Sequence, residues 1–335
     1  MTNVERFKNI MNFKSVDRLP AIESFPWWDQ TLNRWYNEGL PRDLTGHYEI
    51  GRWFGLDMHR WWWISPRWDF TSRPGRARQD GMVNGLDEYI QLVKPLLREP
   101  HFSNPPYYDE KELYRYAAEQ KKGDVFLWLQ IDGFFWFPRE CMGIEKHLYS
   151  FYEQPEFLHQ INSDLVEYNI KLLHKLFRIC TPDIIIFAED MSYKMGPMLS
   201  PELYEEFISP YYRKIVPLIK EHGCIPMVDS DGNLKDMISW LEKDGIEGAS
   251  PMERQAGTDI EKIRNEHPNF KIMGGFDKRV IHQGEEAMRK EFERILPVMQ
   301  SGGYIPSVDH QTPPDVSLDM YRLYASLLNE YCRIQ

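Results

Sequence analysis

Ile184-Ile185-Ile186-Phe187-Ala188-Glu189-Asp190 is an apolar run that ends on two carboxylates. Its first four residues are β-branched or aromatic with no polar alternation. That suits a short strand buried on both faces, the habit of parallel sheets. Comparable runs follow at Ile225-Pro226-Met227-Val228, Ile246 to Ser250, Lys271 to Gly275 and Tyr304-Ile305-Pro306-Ser307. Helical patterns separate them. Ser200-Pro201-Glu202 offers an N-cap and an N1 proline for a segment that ends near Gly223, and Pro210 should kink or divide that helix. Upstream, Phe157, Ile161, Leu165, Tyr168, Leu172 and Leu176 recur at three or four residues, one face of a long helix.

Alternation of this kind predicts parallel strands joined by right-handed crossovers. Leu19 to Glu23 and Val125 to Ile131 add two strands to the five, and the irregular region 50–100 is expected to hold an eighth. The reading is an α/β fold: a single (β/α)8 TIM-type barrel over residues 1–335 with an irregular, aromatic-rich N-terminal part. A doubly wound open sheet is the competing architecture, but no GxGxxG or GxxxxGK[ST] loop supports a nucleotide site.

The formal net charge of −11 disfavours non-specific binding to nucleic acid or to acidic membranes. The opening Met-Thr-Asn-Val-Glu-Arg is charged and has no apolar run behind it, so neither a secretory signal nor a membrane anchor is expected. Cys141, Cys180, Cys224 and Cys332 are far apart and form no CxxC pair, which reads as reduced thiols in a cytoplasm. Aromatic residues make up 14% of the chain, with eleven Trp concentrated in the first half at Phe25-Pro26-Trp27-Trp28, Trp61-Trp62-Trp63 and Phe134-Phe135-Trp136-Phe137. Core packing or a homodimer interface explains them, and a flat apolar ligand pocket is the sharper alternative.

In a parallel barrel the residues just after each strand face the active site. Here those residues are Glu189 and Asp190, then Asp229-Ser230-Asp231-Gly232-Asn233, then Gly274, Gly275, Asp277, Lys278 and Arg279, then Asp309 and His310. Carboxylates brought together repel, so their proximity requires a cation, a shared proton or a basic partner. Plainer readings stand beside this one. Asp229 to Asn233 precedes the helical stretch Leu234 to Lys243 and suits a capping turn. Glu189 and Asp190 suit an ion pair that fixes a loop, and His310 suits a turn.

Several motifs taken together carry a family resemblance. Glu5-Arg6-Phe7 through Asp17-Arg18-Leu19-Pro20, Gly196-Pro197-Met198-Leu199-Ser200-Pro201-Glu202, Asp231-Gly232-Asn233, Gly274-Gly275-Phe276-Asp277, and Gly302-Gly303-Tyr304 with Pro313-Pro314 resemble the uroporphyrinogen decarboxylase superfamily over nearly the whole chain. The resemblance implies a (β/α)8 barrel and one of two chemistries, decarboxylation in the haem pathway or cobalamin-dependent methyl transfer. The decarboxylases hold a polycarboxylate porphyrinogen with an Arg-Gln-Ala-Gly-Arg motif after the first strand. Here that loop reads Ser24-Phe25-Pro26-Trp27-Trp28-Asp29-Gln30, with no arginine, so uroporphyrinogen itself is not the expected substrate. The methyltransferases carry zinc on His-x-Cys and a later Cys. Asp229-Ser230-Asp231 stands in place of the pair and His310 near the late cysteine, which implies a harder site for zinc or another divalent metal at Asp229, Asp231 and His310.

These readings lead to a corrinoid-linked methyltransferase acting on a small methylated substrate, a methoxylated aromatic being the candidate, with the corrinoid supplied by a partner protein. Glu189, Asp190, Asp231 and His310 are the expected catalytic residues. Trp27, Trp28 and Trp136 are expected to wall the substrate pocket, with Asp277, Lys278 and Arg279 also binding substrate. The alternatives are a metal-free decarboxylase or lyase of a small acid, with Lys278 or Arg279 holding the substrate carboxylate, and a corrinoid-binding relative that has lost its chemistry.

Overall fold

The computed structural model describes residues 1–66, 81–103 and 109–333. Seven strands form one sheet in strictly sequential order: β1 (His59–Ile64), β2 (Phe126–Asp132), β3 (Ile184–Ala188), β4 (Ile225–Asp229), β5 (Gly248–Ser250), β6 (Lys271–Phe276) and β7 (Tyr304–Val308). Every neighbouring pair is parallel, with Trp128 opposite Ile184 and Ile184 opposite Ile225 in register. β2, β3, β5, β6 and β7 are buried at every position, which is why their sequences show no polar alternation.

β1 is the strand expected somewhere in 50–100. It begins with the polar pair His59-Arg60 and continues as three Trp, so it does not look like a buried strand in sequence. Trp62 points to the helical layer and meets Tyr116 edge-on at 5.8 Å. Trp61 and Trp63, two residues apart, share the opposite face.

The expectation of a strand at Leu19 to Glu23 is corrected. The segment is buried but forms no ladder. Pro20 has no N–H to give. Ala21 exchanges backbone bonds with Asp57, donating to its Oδ2 (2.9 Å) and accepting from its N–H (2.7 Å), while the Ser24 N–H donates to Ser307 Oγ (3.0 Å). Asp57 precedes β1 and Ser307 lies in β7, so one segment touches both edges of the sheet and the sheet must curl to allow it. Among the described residues, no eighth strand is paired.

The helices follow the sequence closely. Pro155–Leu176 buries all six residues of its expected face. The segment after Ser200 is split into Pro201–Phe207 and Ser209–Glu221, with Pro210 in the first turn of the second helix. Leu234 to Lys243 resolves into a 3-10 turn, Lys235–Met237, and the helix Ile238–Lys243. All four cysteines are buried. No described helix is long and apolar enough to cross a membrane.

Candidate active site

The carboxyl ends of the strands surround a cavity of about 250 Å³. β1 lends it Trp61 and Trp63, β2 lends Trp128 and Gln130, and the following turn lends Trp136. Asp190, Asp229 and Asp231 enter after β3 and at the end of β4; His310 and Gln311 follow β7, and Ser24 to Pro26 close the remaining side.

Two backbone seams bring the carboxylates together. The Asp229 carbonyl accepts from the N–H groups of Glu189 (2.8 Å) and Asp190 (3.3 Å). The Asp231 N–H donates to Asp190 Oδ1 (3.1 Å), and Asp190 itself takes the left-handed conformation, φ 43°. Gly232 completes the turn at φ +91°; a Cβ there would lie 2.6 Å from the Tyr193 backbone nitrogen. So the chain after β4 can hug the chain after β3 only with glycine at this position.

Crowding has an electrostatic consequence. Burial, then the charges of Asp190 and Asp231, push the Asp229 carboxyl well above its usual range. Asp231 is pushed up to about 7, by burial first and then by Asp190 and Glu253. Asp190 is raised by burial, although the Asp231 N–H and Arg139 oppose the shift. Crowding therefore favours a shared proton in the cluster, on Asp231 and Asp229. Gln130 orders part of it: its Oε1 accepts from Trp61 Nε1 (2.8 Å), so its Nε2 donates to Asp229 Oδ2 (2.9 Å). His310 Nε2 lies 3.6 Å from Asp231 Oδ2, with its ring stacked on Phe25. Burial, then the charge of Lys278, holds the imidazole below its ordinary pKa, which keeps it neutral.

Glu189 is elsewhere. It is fully buried and points away from the cavity, accepting from Phe134 N–H (2.9 Å), Phe135 N–H (2.7 Å), Trp136 N–H (3.3 Å) and the Tyr212 hydroxyl. Burial raises it to about 7 despite those donors. It anchors the turn that presents Trp136, so the structure places Glu189 behind the cavity wall while its neighbour Asp190 enters the cavity.

Other expected residues are also displaced. Trp27 is buried in an aromatic core with Trp35, Phe54 and Tyr321, and Trp28 is exposed; neither lines the cavity. Trp27 is thus the core residue of the plainer reading. Asp277 accepts from Arg279 Nε (2.8 Å) and Nη2 (2.7 Å), which occupies the guanidinium fork. Lys278 is buried, and its N–H donates to Asp309 Oδ1 (3.1 Å). None of the three lines the cavity. Asp309 also accepts from the Arg254 N–H (2.9 Å), and so serves as a cap for two loops.

Asp229, Asp231 and His310 do reach one cavity, but they do not form a metal-binding set. Among the described residues, no group of three or more His, Cys, Asp or Glu is placed to hold a metal ion. Asp229 is turned to Gln130, and the carboxylate that His310 approaches is that of Asp231. As placed, the donor set does not fit zinc.

Sequence reasoning missed Gln130 and Trp128 as site residues, and it offered Phe25, Trp61 and Trp63 only within the general reading of an aromatic pocket. Gln130 carried a signal: it is the one amide in the otherwise apolar run Phe126 to Ile131. A buried polar residue in such a strand needs a partner, and its partners lie in the site.

A curled parallel sheet with an acidic, aromatic-walled cleft at its carboxyl edge defines a class of α/β enzyme-like folds. The uroporphyrinogen decarboxylase (URO-D) family model matches residues 112–331, and the chain belongs to that family. It is 22% identical over 184 residues to the uroporphyrinogen decarboxylase of Ruthia magnifica subsp. Calyptogena magnifica, covering 54% of this chain and 52% of that protein. It is 27% identical over 186 residues to the uroporphyrinogen decarboxylase of Pseudomonas entomophila, covering 53% and 50%. The match spans about half the length of these curated relatives. In three dimensions the chain is similar to a methyltransferase from Methanosarcina mazei, with a TM-score of 0.64, 12% identity and 99% of each chain covered. At that identity the likeness shows the shared fold.

Proposed function

We propose that the chain is a methyltransferase that moves a methyl group from a small methylated compound to a corrinoid carried by a partner protein. The carrying observation is the acidic cavity. Three carboxyl groups, Asp190, Asp229 and Asp231, face a volume of about 250 Å³, below the usual 300–1,000 Å³ of drug-sized pockets. A porphyrinogen with many carboxylates would be repelled there. The loop Ser24 to Gln30 holds no arginine to reverse that, and the nearby Arg139 lies 3.8 Å from Asp190.

A reduced corrinoid, when bound, supplies a strong nucleophile for methyl carbon. The cavity has room for the methyl donor and not for a corrin ring, so the ring would be presented at the rim. There the short hairpin Ser192 to Pro197 carries the exposed Tyr193 and Met195. This chain's own work is to bind the donor against Trp61, Trp63 and Trp136, exclude water, and orient the methyl group outward. For an oxygen-linked methyl group, Asp231 would hold the proton that the leaving oxygen requires, with the neutral His310 3.6 Å behind it.

Methyl transfer to a reduced corrinoid protein from a panel of methyl donors tests the reading; turnover of at least one donor is expected, and loss of it in Asp231→Asn. Release of carbon dioxide from a small acid, without any methyl transfer, contradicts it. That result would favour the second reading, a decarboxylase, whose supporting observation is the same protonated Asp231, here as donor to a carbanion.

A further inference from the structure

We infer that the cavity takes a small N-methylated ammonium cation, quaternary or tertiary, held between indole faces and the carboxylates of Asp190, Asp229 and Asp231. The inference rests on the methyl-transfer reading and names its substrate class. Three independent features support it.

The first is the wall. Trp61 Nε1 donates to Gln130 (2.8 Å) and Trp63 Nε1 donates to Asp132 (3.0 Å). With both N–H groups tied to the protein, these rings offer the cavity π surface, and Phe25, Trp128 and Trp136 extend it. Cations sit on such surfaces because the face of an aromatic ring is electron-rich. The site already shows the preference: the Arg139 guanidinium lies 4.8 Å from the centre of the Trp136 ring and 3.8 Å from Asp190.

The second is charge. The ionisable groups around Asp231 include Asp190, Glu253, Lys278 and Arg139, with Asp229 beside it in the cavity and His310 in contact. The acids prevail, since Asp190 and Glu253 outrank the two bases in their effect. A bound cation relieves that repulsion, whereas a neutral methoxylated aromatic leaves it intact. The third is a pair of polar atoms. Ser24 and Trp128 line the cavity, are more than nine-tenths buried, and have no hydrogen-bond partner for Ser24 Oγ or Trp128 Nε1 among the described residues. Both can donate, and they suit a hydroxyl at the far end of the substrate.

The group transfer balances without a proton. The carbon–nitrogen bond breaks with its electron pair on nitrogen, and the methyl carbon takes its new bond from the pair of the reduced corrinoid. A quaternary donor leaves as a neutral tertiary amine, which has lost the charge that the carboxylates hold.

Calorimetric titration of the chain alone, without corrinoid, tests this with choline and its uncharged carbon isostere 3,3-dimethylbutan-1-ol. Choline is expected to bind at least about tenfold more tightly, and Asp231→Asn to weaken choline about fivefold while barely moving the isostere. Equal binding of the two, no binding of either, or a preference for a methoxybenzoate overturns the inference. The wild-type pair decides even if the variant does not fold. Cation-selective binding without any later methyl transfer would count against the methyl-transfer reading alone. Turnover of a methoxyarene without cation selectivity would count against this inference alone.

Discussion

Carboxylates stand immediately after β3 and β4, and again after β6 and β7, yet the two halves of the carboxyl edge use them differently. After β6 and β7, Asp277 is closed onto Arg279, and Asp309 caps the backbone N–H groups of Lys278 and Arg254. After β3 and β4, Asp190, Asp229 and Asp231 crowd one cavity with more acid than base around them. In sequence the two sets look alike. What separates them is where the donors go, and that depends on which loops meet. Acids that are fully supplied with donors hold loops; acids that are left short of them are available for a ligand.

Glu189 sharpens the contrast, because it belongs to the acidic half by sequence and to the structural half by contacts. Glu189→Ala would orphan three backbone N–H groups and the Tyr212 hydroxyl. At about 1–3 kcal/mol for each buried group, tempered by relaxation, a loss of about 3–5 kcal/mol in stability is expected from denaturant titration. A loss below about 1 kcal/mol would break the assignment. Asp309→Ala removes the acceptor of two N–H groups and should cost about 2–3 kcal/mol by the same measurement.

The pH dependence of Asp231 probes the other half. Its carboxyl sits at about 7 in the folded chain, above the ordinary range near 4 of an unfolded Asp. The folded state therefore binds more protons between those values, and Asp231 costs stability progressively as pH rises through about 7. The buried His47 and His147, lowered to about 4 and about 3 by burial, act in the opposite sense below about 6.5. The difference between variant and wild type isolates the carboxyl. Asp231→Asn should gain melting temperature relative to wild type between pH 5 and pH 8, and a flat difference would contradict the crowding. The smallest effect belongs to Arg279→Ala. That ion pair has an arginine side chain 53% exposed, so stability should fall by less than about 1 kcal/mol, and methyl transfer should be unchanged.

Much of the fold was legible because strands buried on both faces announce themselves: β3, β4, β6 and β7 follow their apolar runs to within a residue or two. β1 was hidden because three consecutive Trp carry no periodicity of their own, and Leu19 to Glu23 misled because an apolar stretch does not reveal that a side chain, Asp57, takes the place of a ladder partner. In the site, the positions of Asp190, Asp229, Asp231 and His310 were readable from the rule that strand ends face the cleft. Their neighbours were not. Whether Trp27 or Trp61 walls the cavity depends on packing between segments distant in sequence, which no local pattern records.

Turnover and melting temperature, measured side by side for Asp231→Asn and Asp309→Asn, test the division of the carboxyl edge most directly. Asp231→Asn is expected to lose methyl transfer at least about fivefold while melting no lower than wild type at pH 7. Asp309→Asn should melt several degrees lower and keep its activity below the new midpoint. Full activity in Asp231→Asn, with its melting temperature lowered instead, would contradict the claim that the acids after β3 and β4 serve a ligand.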